Sequence, residues 1–236
     1  MHLSLVIPAY NEAQRIGLTL ELVRGYLARQ DYDSEIIVVD DGSRDDTAAV
    51  VAVFDGVKLV RLDRNRGKGA AVRRGMLQEA TGAYRFYYDA DASTPVEELE
   101  ACWPRFAAGA DIVIGSRALA ASRIEIRQAW YREHMGRVYN LFLRGMGLTR
   151  FLDTQCGFKG FTAQATGICF SRQTLDKFSF DAELLYIASM RGLRVDEIPV
   201  RWLNSPKSRV NPLTDSTRMF LDLLRVRANA AAGRYA

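Results

Sequence analysis

Two aspartates, Asp89 and Asp91, stand one small residue apart in the stretch Tyr84-Arg-Phe-Tyr-Tyr-Asp-Ala-Asp-Ala-Ser-Thr-Pro95. An apolar strand runs directly into the pair, and strand alternation aims residues i and i+2 the same way. Where a strand ends the chain turns, and two such carboxylates can share one divalent cation. Hard oxygen ligands suit Mg²⁺ or Mn²⁺, ions that keep positions open for substrate phosphates. An isolated Asp-x-Asp is more often a pair of solvated loop residues, so its chemistry depends on what stands beside it.

Three further apolar runs end in polar or glycine-rich punctuation. Leu3 to Ile7 leads into Pro8-Ala9-Tyr10-Asn11-Glu12, and Glu35 to Val39 into Asp40-Asp41-Gly42-Ser43. Val57 to Leu62 leads into Asn65-Arg66-Gly67-Lys68-Gly69. A segment of helical period follows each run. This alternation predicts an α/β fold with a mostly parallel central sheet flanked by helices. Such sheets bind ligands beyond the carboxyl ends of their strands, where these motifs fall. Asp40 or Asp41 can accept a hydrogen bond from the imino N–H of a base. Alternatively, Asp41 can close an Asx-turn onto the backbone near Ser43. Gly67-Lys68-Gly69 is not a Walker A loop, because Leu62 stands where the first glycine belongs and no Ser/Thr follows the lysine. Nor is it a dinucleotide fingerprint, since Val72 takes the place of the third glycine. What remains is either an anion-favouring glycine turn at a helix start or a tight turn with an exposed lysine.

The elements that must carry these motifs follow from periodicity. Ile16, Leu20, Val23 and Leu27 mark one helix face, and Asp45-Asp46-Thr47 supplies capping oxygens for a second, shorter helix. A third helix opens at Gly69, and Pro95 suits the first turn of another. Strands are expected over Asp111–Gly115, Gly157–Thr162 and Leu193–Trp202. Helices are expected over Asp181–Met190 and, at the C-terminus, over 213–229. Residues 126–147 form an amphipathic helix in which Trp130, Tyr131 and Phe142 interleave with Arg132, Arg137 and Arg144, a pattern fit for a membrane interface, a core or a dimer face.

At 236 residues, with 48% hydrophobic residues, the chain suits one sizeable domain over 1–236. It enters a strand at once and has no apolar run of about 18 residues, so neither a secretory signal nor a membrane span is expected. Cys102, Cys156 and Cys169 lack disulfide or metal spacing, which points to the cytoplasm. The net charge of +4 is uneven. Residues 123–150 carry six arginines against two glutamates, and 201–236 carry seven basic against two acidic residues. These basic segments either face something anionic or form solvated arginine-rich helices. His2 and His134 occur in no triad-like context, which argues against a Ser-His-Asp hydrolase.

Taken in order, Pro8-to-Glu12, Asp40-to-Ser43, Gly67-to-Gly69, Asp89-to-Asp91 and Gly115-Ser116-Arg117 resemble the motifs of GT-A-fold glycosyltransferases. Asp153-Thr-Gln-Cys-Gly-Phe-Lys159, Phe180-Asp-Ala-Glu-Leu-Leu185 and Ser208-Arg209-Val210 resemble the dolichyl-phosphate glucosyltransferase branch and its polyprenyl-phosphate relatives. The resemblance implies that Pro8, Ala9, Tyr10, Glu12, Asp40 and Asp41 hold the base and ribose of a nucleotide sugar. Lys68 would contact the nucleotide or its phosphates, and Asp89, Ala90 and Asp91 would bring Mg²⁺ or Mn²⁺ to the diphosphate. Related mannosyltransferases often carry Gln two positions after the second Asp. Ser93 stands there in this chain, which leaves a third side-chain ligand open.

The acceptor decides the rest. A sugar or protein hydroxyl needs a general base, whereas a phosphate monoester, with a second pKa of about 6, arrives anionic. It needs cations to position it, and Arg117, Arg127, Lys159 and Arg209 stand in or near the matched blocks. Arg209 replaces a usual lysine and favours bidentate phosphate contact. Gln155 is expected on the sugar or diphosphate, Asp153 on the acceptor side or as a base, and Asp181 and Glu183 as holders of basic residues. The expected activity is metal-dependent, inverting transfer of a hexose, first glucose from UDP-glucose, to a polyprenyl or dolichyl phosphate, with peripheral membrane contact and no nucleic-acid partner. The alternatives are a soluble glycosyltransferase acting on hydroxyls, a sugar nucleotidyltransferase, or a nucleotide-sugar binder.

Overall fold

The computed structural model describes residues 2–126, 130–203 and 214–236. Strand β1 (His2–Ala9) is buried almost throughout. Leu3, Leu5 and Ile7 enter one hydrophobic cluster while Val6 enters the other. A strand apolar on both faces must be covered on both, as in parallel α/β sheets. β1 pairs in parallel with β2 (Asp33–Asp40) and β4 (Tyr84–Tyr88), and β2 with β3 (Val57–Arg61). β7 (Phe158–Thr162) inserts antiparallel between β4 and β5 (Ile112–Ser116), and β8 (Val195–Pro199) runs parallel to β5. The resulting order, β3-β2-β1-β4-β7-β5-β8, matches the expected mostly parallel sheet.

Helices α1 (Ile16–Leu27) and α2 (Thr47–Ala52), a 3₁₀ turn (Val96–Ala101) and α4 (Trp103–Ala107) cover one face. The other is covered by α3 (Lys68–Arg74), which runs on as a π-turn, and by α6 (Ala163–Arg172) and α7 (Phe180–Met190). Tyr139 and Leu143 of α5 (Trp130–Gly145) and Leu223 of α8 (Thr214–Ala231) join that second core. Among the described residues no helix is long and apolar enough to cross a membrane.

Several boundaries differ from the sequence expectation. The segment expected as one strand over Leu193–Trp202 breaks at Val200, and β9 (Arg201–Leu203) leaves the sheet to pair with β6 (Arg123–Ile126). Ile126 is therefore strand, and α5 begins at Trp130. Helix α6 had no counterpart, because Ala-Gln-Ala-Thr-Gly offers little apolar period. Its start is nonetheless encoded, since the Thr162 hydroxyl accepts from Ala165 N–H at 3.1 Å.

Candidate active site

The carboxyl ends of β1 and β2 are stitched to each other by side chains. Asn11 N–H donates to Ser43 Oγ (2.9 Å), Arg44 N–H to Asn11 Oδ1 (2.8 Å) and Glu12 N–H to Thr47 Oγ1 (2.7 Å). Asn11 adopts φ 54°, the left-handed region that asparagine tolerates. Pro8 and Ala9 close β1, the Ala9 carbonyl accepts from Asp41 N–H at 2.8 Å, and Tyr10 follows half-buried. Asp40, not Asp41, closes the turn, since its Oδ1 accepts from Ser43 N–H at 2.9 Å. Asp41 instead accepts from Arg66 N–H (2.8 Å) and Gly67 N–H (2.7 Å) and so fixes the glycine turn. Burial raises the Asp41 carboxyl pKa despite these two bonds. Among the described residues Asp40 Oδ2 is met by exposed Arg61, at 3.3 Å.

Beside this loop, Asp89 and Asp91 meet two cations. Lys68 Nζ lies 2.5 Å from Asp89 Oδ1, and Arg15 Nη1 lies 3.8 Å from Asp91 Oδ2. Arg15 also forms a two-pronged contact with Glu12, at 2.6 Å on each prong. The turn is held by Thr19, whose hydroxyl donates to the Ala90 carbonyl at 2.7 Å, and by Asp91, which accepts from Ser93 N–H at 3.0 Å. Ala92 takes φ 50°, a left-handed conformation of the kind stored at functional sites. Burial, and next the charge of Asp89, raise the Asp91 pKa. Burial works against the charge on Lys68, but Asp89 and Asp181 outweigh it and hold its pKa above the ordinary value.

These carboxylates fit a divalent cation. Two like charges lie together, partly accessible, at a strand end, and the charge of Asp89 adds to the cost of ionising Asp91. Among the described residues no third His, Cys, Asp or Glu joins them. Ser93 is buried, and among the described residues its hydroxyl has no partner. The remaining ligands of a bound ion would come from phosphate and water, as Mg²⁺ prefers.

Gly157 explains why the block after β5 and before β7 must contain glycine. A Cβ there would collide with the Asp89 carboxylate. We expect Gly157→Ala to push that carboxylate aside and lower transfer about a hundredfold, as ångström-scale misplacement does. Turnover and thermal melting check this; a folded variant with normal turnover contradicts it.

Arg117 and Asp153 form a bidentate pair, with Nε–Oδ2 at 2.6 Å and Nη2–Oδ1 at 2.8 Å. The Arg117 guanidinium lies over the Trp202 ring, 4.8 Å from its centroid. Burial alone would raise the Asp153 pKa; Arg117 and backbone donors overcome this and leave it at about 2. Asp153 therefore holds Arg117 in place, and its lowered pKa disfavours the other expected role, that of a base. Gln155 lies next to it, its N–H on Asp153 Oδ1 (3.0 Å) and its buried Nε2 without a partner among the described residues.

Lys159 is corrected as well. It is 1% exposed, contacts Asp181 Oδ1 at 2.7 Å and the Cys156 carbonyl, and lies over the Tyr87 ring. It points into the fold and is not presented to an acceptor. Asp181 holds a basic residue as expected, and it also takes the Tyr87 hydroxyl. Glu183 does not: it accepts from Thr174 and Leu175 N–H groups and from the Tyr235 hydroxyl, tying the C-terminus to the loop beside Gly69. Arg127 and Arg209 lie outside the described residues.

Three site residues escaped sequence reasoning. Arg15 was signalled by its i,i+3 spacing from Glu12, whereas Tyr87 looked like plain strand core. Trp202 became legible only through the departure of β9 from the sheet.

The comparisons with known proteins agree with this geometry. The family model described as Glycosyl transferase family 2 matches residues 4–174. Dolichyl-phosphate beta-glucosyltransferase ALG5C of Trichomonas vaginalis is 33% identical across 99% of this chain and 73% of its own length. Dolichyl-phosphate beta-glucosyltransferase of Mus musculus is 34% identical across 99% of this chain and 77% of its own. In fold, the chain resembles glucosyl-3-phosphoglycerate synthase from Mycobacterium tuberculosis, crystallised with Mn²⁺, UDP and glucosyl-3-phosphoglycerate. The TM-score is 0.70 at 20% identity, over 95% of this chain and 79% of that one.

Proposed function

This chain belongs to glycosyl transferase family 2, and from that premise we propose that it transfers glucose from UDP-glucose to the phosphate of a polyprenyl or dolichyl carrier, with inversion. The observation that carries this reading is the Arg117–Asp153 pair. Asp153, a candidate base, is committed to Arg117 by two hydrogen bonds, and its pKa is lowered to about 2, which disfavours taking a proton from a hydroxyl. Its arginine remains 23% exposed beside the diphosphate end of the site. A phosphate acceptor needs that arrangement, because it brings its own negative oxygen.

In this reading Asp40, fully buried beneath the exposed Arg61 side chain, reads the base once that arginine moves aside. Lys68, at the start of α3, takes the diphosphate. Asp89 and Asp91 hold Mg²⁺ or Mn²⁺, which when bound offsets charge on the leaving diphosphate. Arg117 orients the acceptor phosphate, whose oxygen attacks the anomeric carbon opposite the leaving group and inverts it. Arg127 and Arg209 remain further candidates for that phosphate.

We place the reaction at the cytoplasmic membrane face. Leu141 and Phe142 of α5 and Leu221 and Leu224 of α8 are at least half exposed. Phe142 meets Phe220 at 5.1 Å between ring centroids, so the two helices lie side by side. Arginines border this apolar strip, Arg144 on α5 and Arg225 on α8, the composition expected of an interfacial face.

The test is a panel of labelled nucleotide sugars supplied with polyprenyl phosphate and Mg²⁺ or Mn²⁺, followed by lipid extraction. UDP-glucose should label lipid at least about tenfold faster than mannose or galactose donors, and UDP should compete better than CDP. Preferential labelling from GDP-mannose would overturn the donor assignment.

A further inference from the structure

We propose that Lys68 is a resident stand-in for the divalent cation on Asp89, one that yields the carboxylate only when a diphosphate arrives, so that metal and nucleotide bind as a unit. The inference rests on the reading that Asp89 and Asp91 are the metal ligands.

Three observations carry it. Lys68 Nζ sits 2.5 Å from Asp89 Oδ1, in direct competition with a cation for that oxygen. On one side the Asp89 carboxylate abuts the backbone of Gly157, with no room there for even one added carbon, so it cannot retreat from Lys68 in that direction. The neighbourhood is also close to electrical balance. Arg15 and Lys68 face Glu12, Asp89 and Asp91, while the Arg117–Asp153 and Lys159–Asp181 pairs are each neutral. A divalent ion arriving alone would displace an ammonium that has nowhere better to go, and the two cations would repel.

A nucleoside diphosphate changes this. It brings at least two negative charges, offers Lys68 a new partner and supplies phosphate oxygens to the metal. Lysine suits the exchange, being a compact charge on a flexible four-carbon stem. Its ammonium can swing while the backbone stays fixed by Asp41, which accepts from the N–H groups of Arg66 and Gly67. Asp181 adds favourable charge at the start of the swing, second only to Asp89 among the carboxylates acting on Lys68.

The experiment measures Mn²⁺ affinity of the full chain by calorimetry or by the loss of free-ion EPR signal, with and without UDP. Without UDP, Lys68→Met should bind Mn²⁺ at least about tenfold more tightly than wild type, within the usual range of coupling between sites. Lys68→Arg, which keeps the charge, should bind as weakly as wild type. UDP should tighten Mn²⁺ binding about tenfold or more in wild type and distinctly less in Lys68→Met. Equal or weaker Mn²⁺ binding by folded Lys68→Met overturns the inference and leaves the metal site standing. Absence of Mn²⁺ binding by both proteins, with UDP present, overturns the metal site itself. Should Lys68→Met fail to fold, wild type still decides: UDP and Mn²⁺ must tighten each other by the same factor, and a factor near one overturns the inference.

Discussion

Asp91→Ala should lower transfer about a thousandfold and leave the protein folded. A cation that offsets leaving-group charge contributes several kcal/mol to the transition state, and losing about 4 kcal/mol of that corresponds to the expected rate. Among the described residues Asp91 is one of two carboxylates at this strand end, so its removal leaves a cation one carboxylate there. Folding should not suffer. Burial and the charge of Asp89 already disfavour ionised Asp91, so the alanine removes a repulsion, and the melting temperature should hold or rise slightly. Activity and stability moving in opposite directions is the signature of a site held against folding preference. Near-normal turnover in the folded variant, or wild-type activity undiminished by EDTA, would contradict the metal role.

Arg117→Ala should do the reverse to stability. It strips the bidentate partner from Asp153, which is only 3% exposed. Breaking a buried pair costs about 3–5 kcal/mol because an uncompensated charge stays inside. Transfer should fall about tenfold to a hundredfold, the effect of one lost charge-assisted contact expressed in the transition state. Arg117→Lys should recover less than half of either loss, since lysine cannot form the planar fork. A double variant, Arg117→Met with Asp153→Leu, separates the two roles: stability should return while transfer does not. Return of both would make Arg117 purely structural.

The pH dependence of this pair has a definite sign. The folded-state pKa of Asp153 is depressed, so its stabilising contribution is complete above the unfolded carboxyl value near 4. That contribution is lost as pH falls through about 2. In Arg117→Ala the unpaired carboxylate is the liability. Lowering the pH toward 4 should then restore part of the melting temperature.

Much of this site was legible because each motif sits where an apolar strand stops. The ends of β1, β2 and β4 could be read from composition, and with them Asp40, Asp89 and Asp91. Lys68 was legible through its two flanking glycines. Direction was not legible. Lys159 lies in a matched block, but β7 runs antiparallel to β4 and places it over Tyr87, where Asp181 takes its charge. Asp153 looked like a base because sequence shows residue type without partner, and its partner Arg117 lies 36 positions away. The break at Val200 that lets Trp202 reach Arg117 has no glycine or proline at the break itself, only Pro199 just before it.

The central claim, that a phosphate and not a hydroxyl is the nucleophile, is tested most directly by giving wild type UDP-glucose with either polyprenyl phosphate or the dephosphorylated polyprenol. The account predicts glucosylated lipid from the phosphate alone, at a rate that rises to a plateau as the acceptor loses its second proton near pH 6. Equal use of the alcohol, with a bell-shaped pH profile and collapse in a carboxylate variant outside the metal pair, would contradict it.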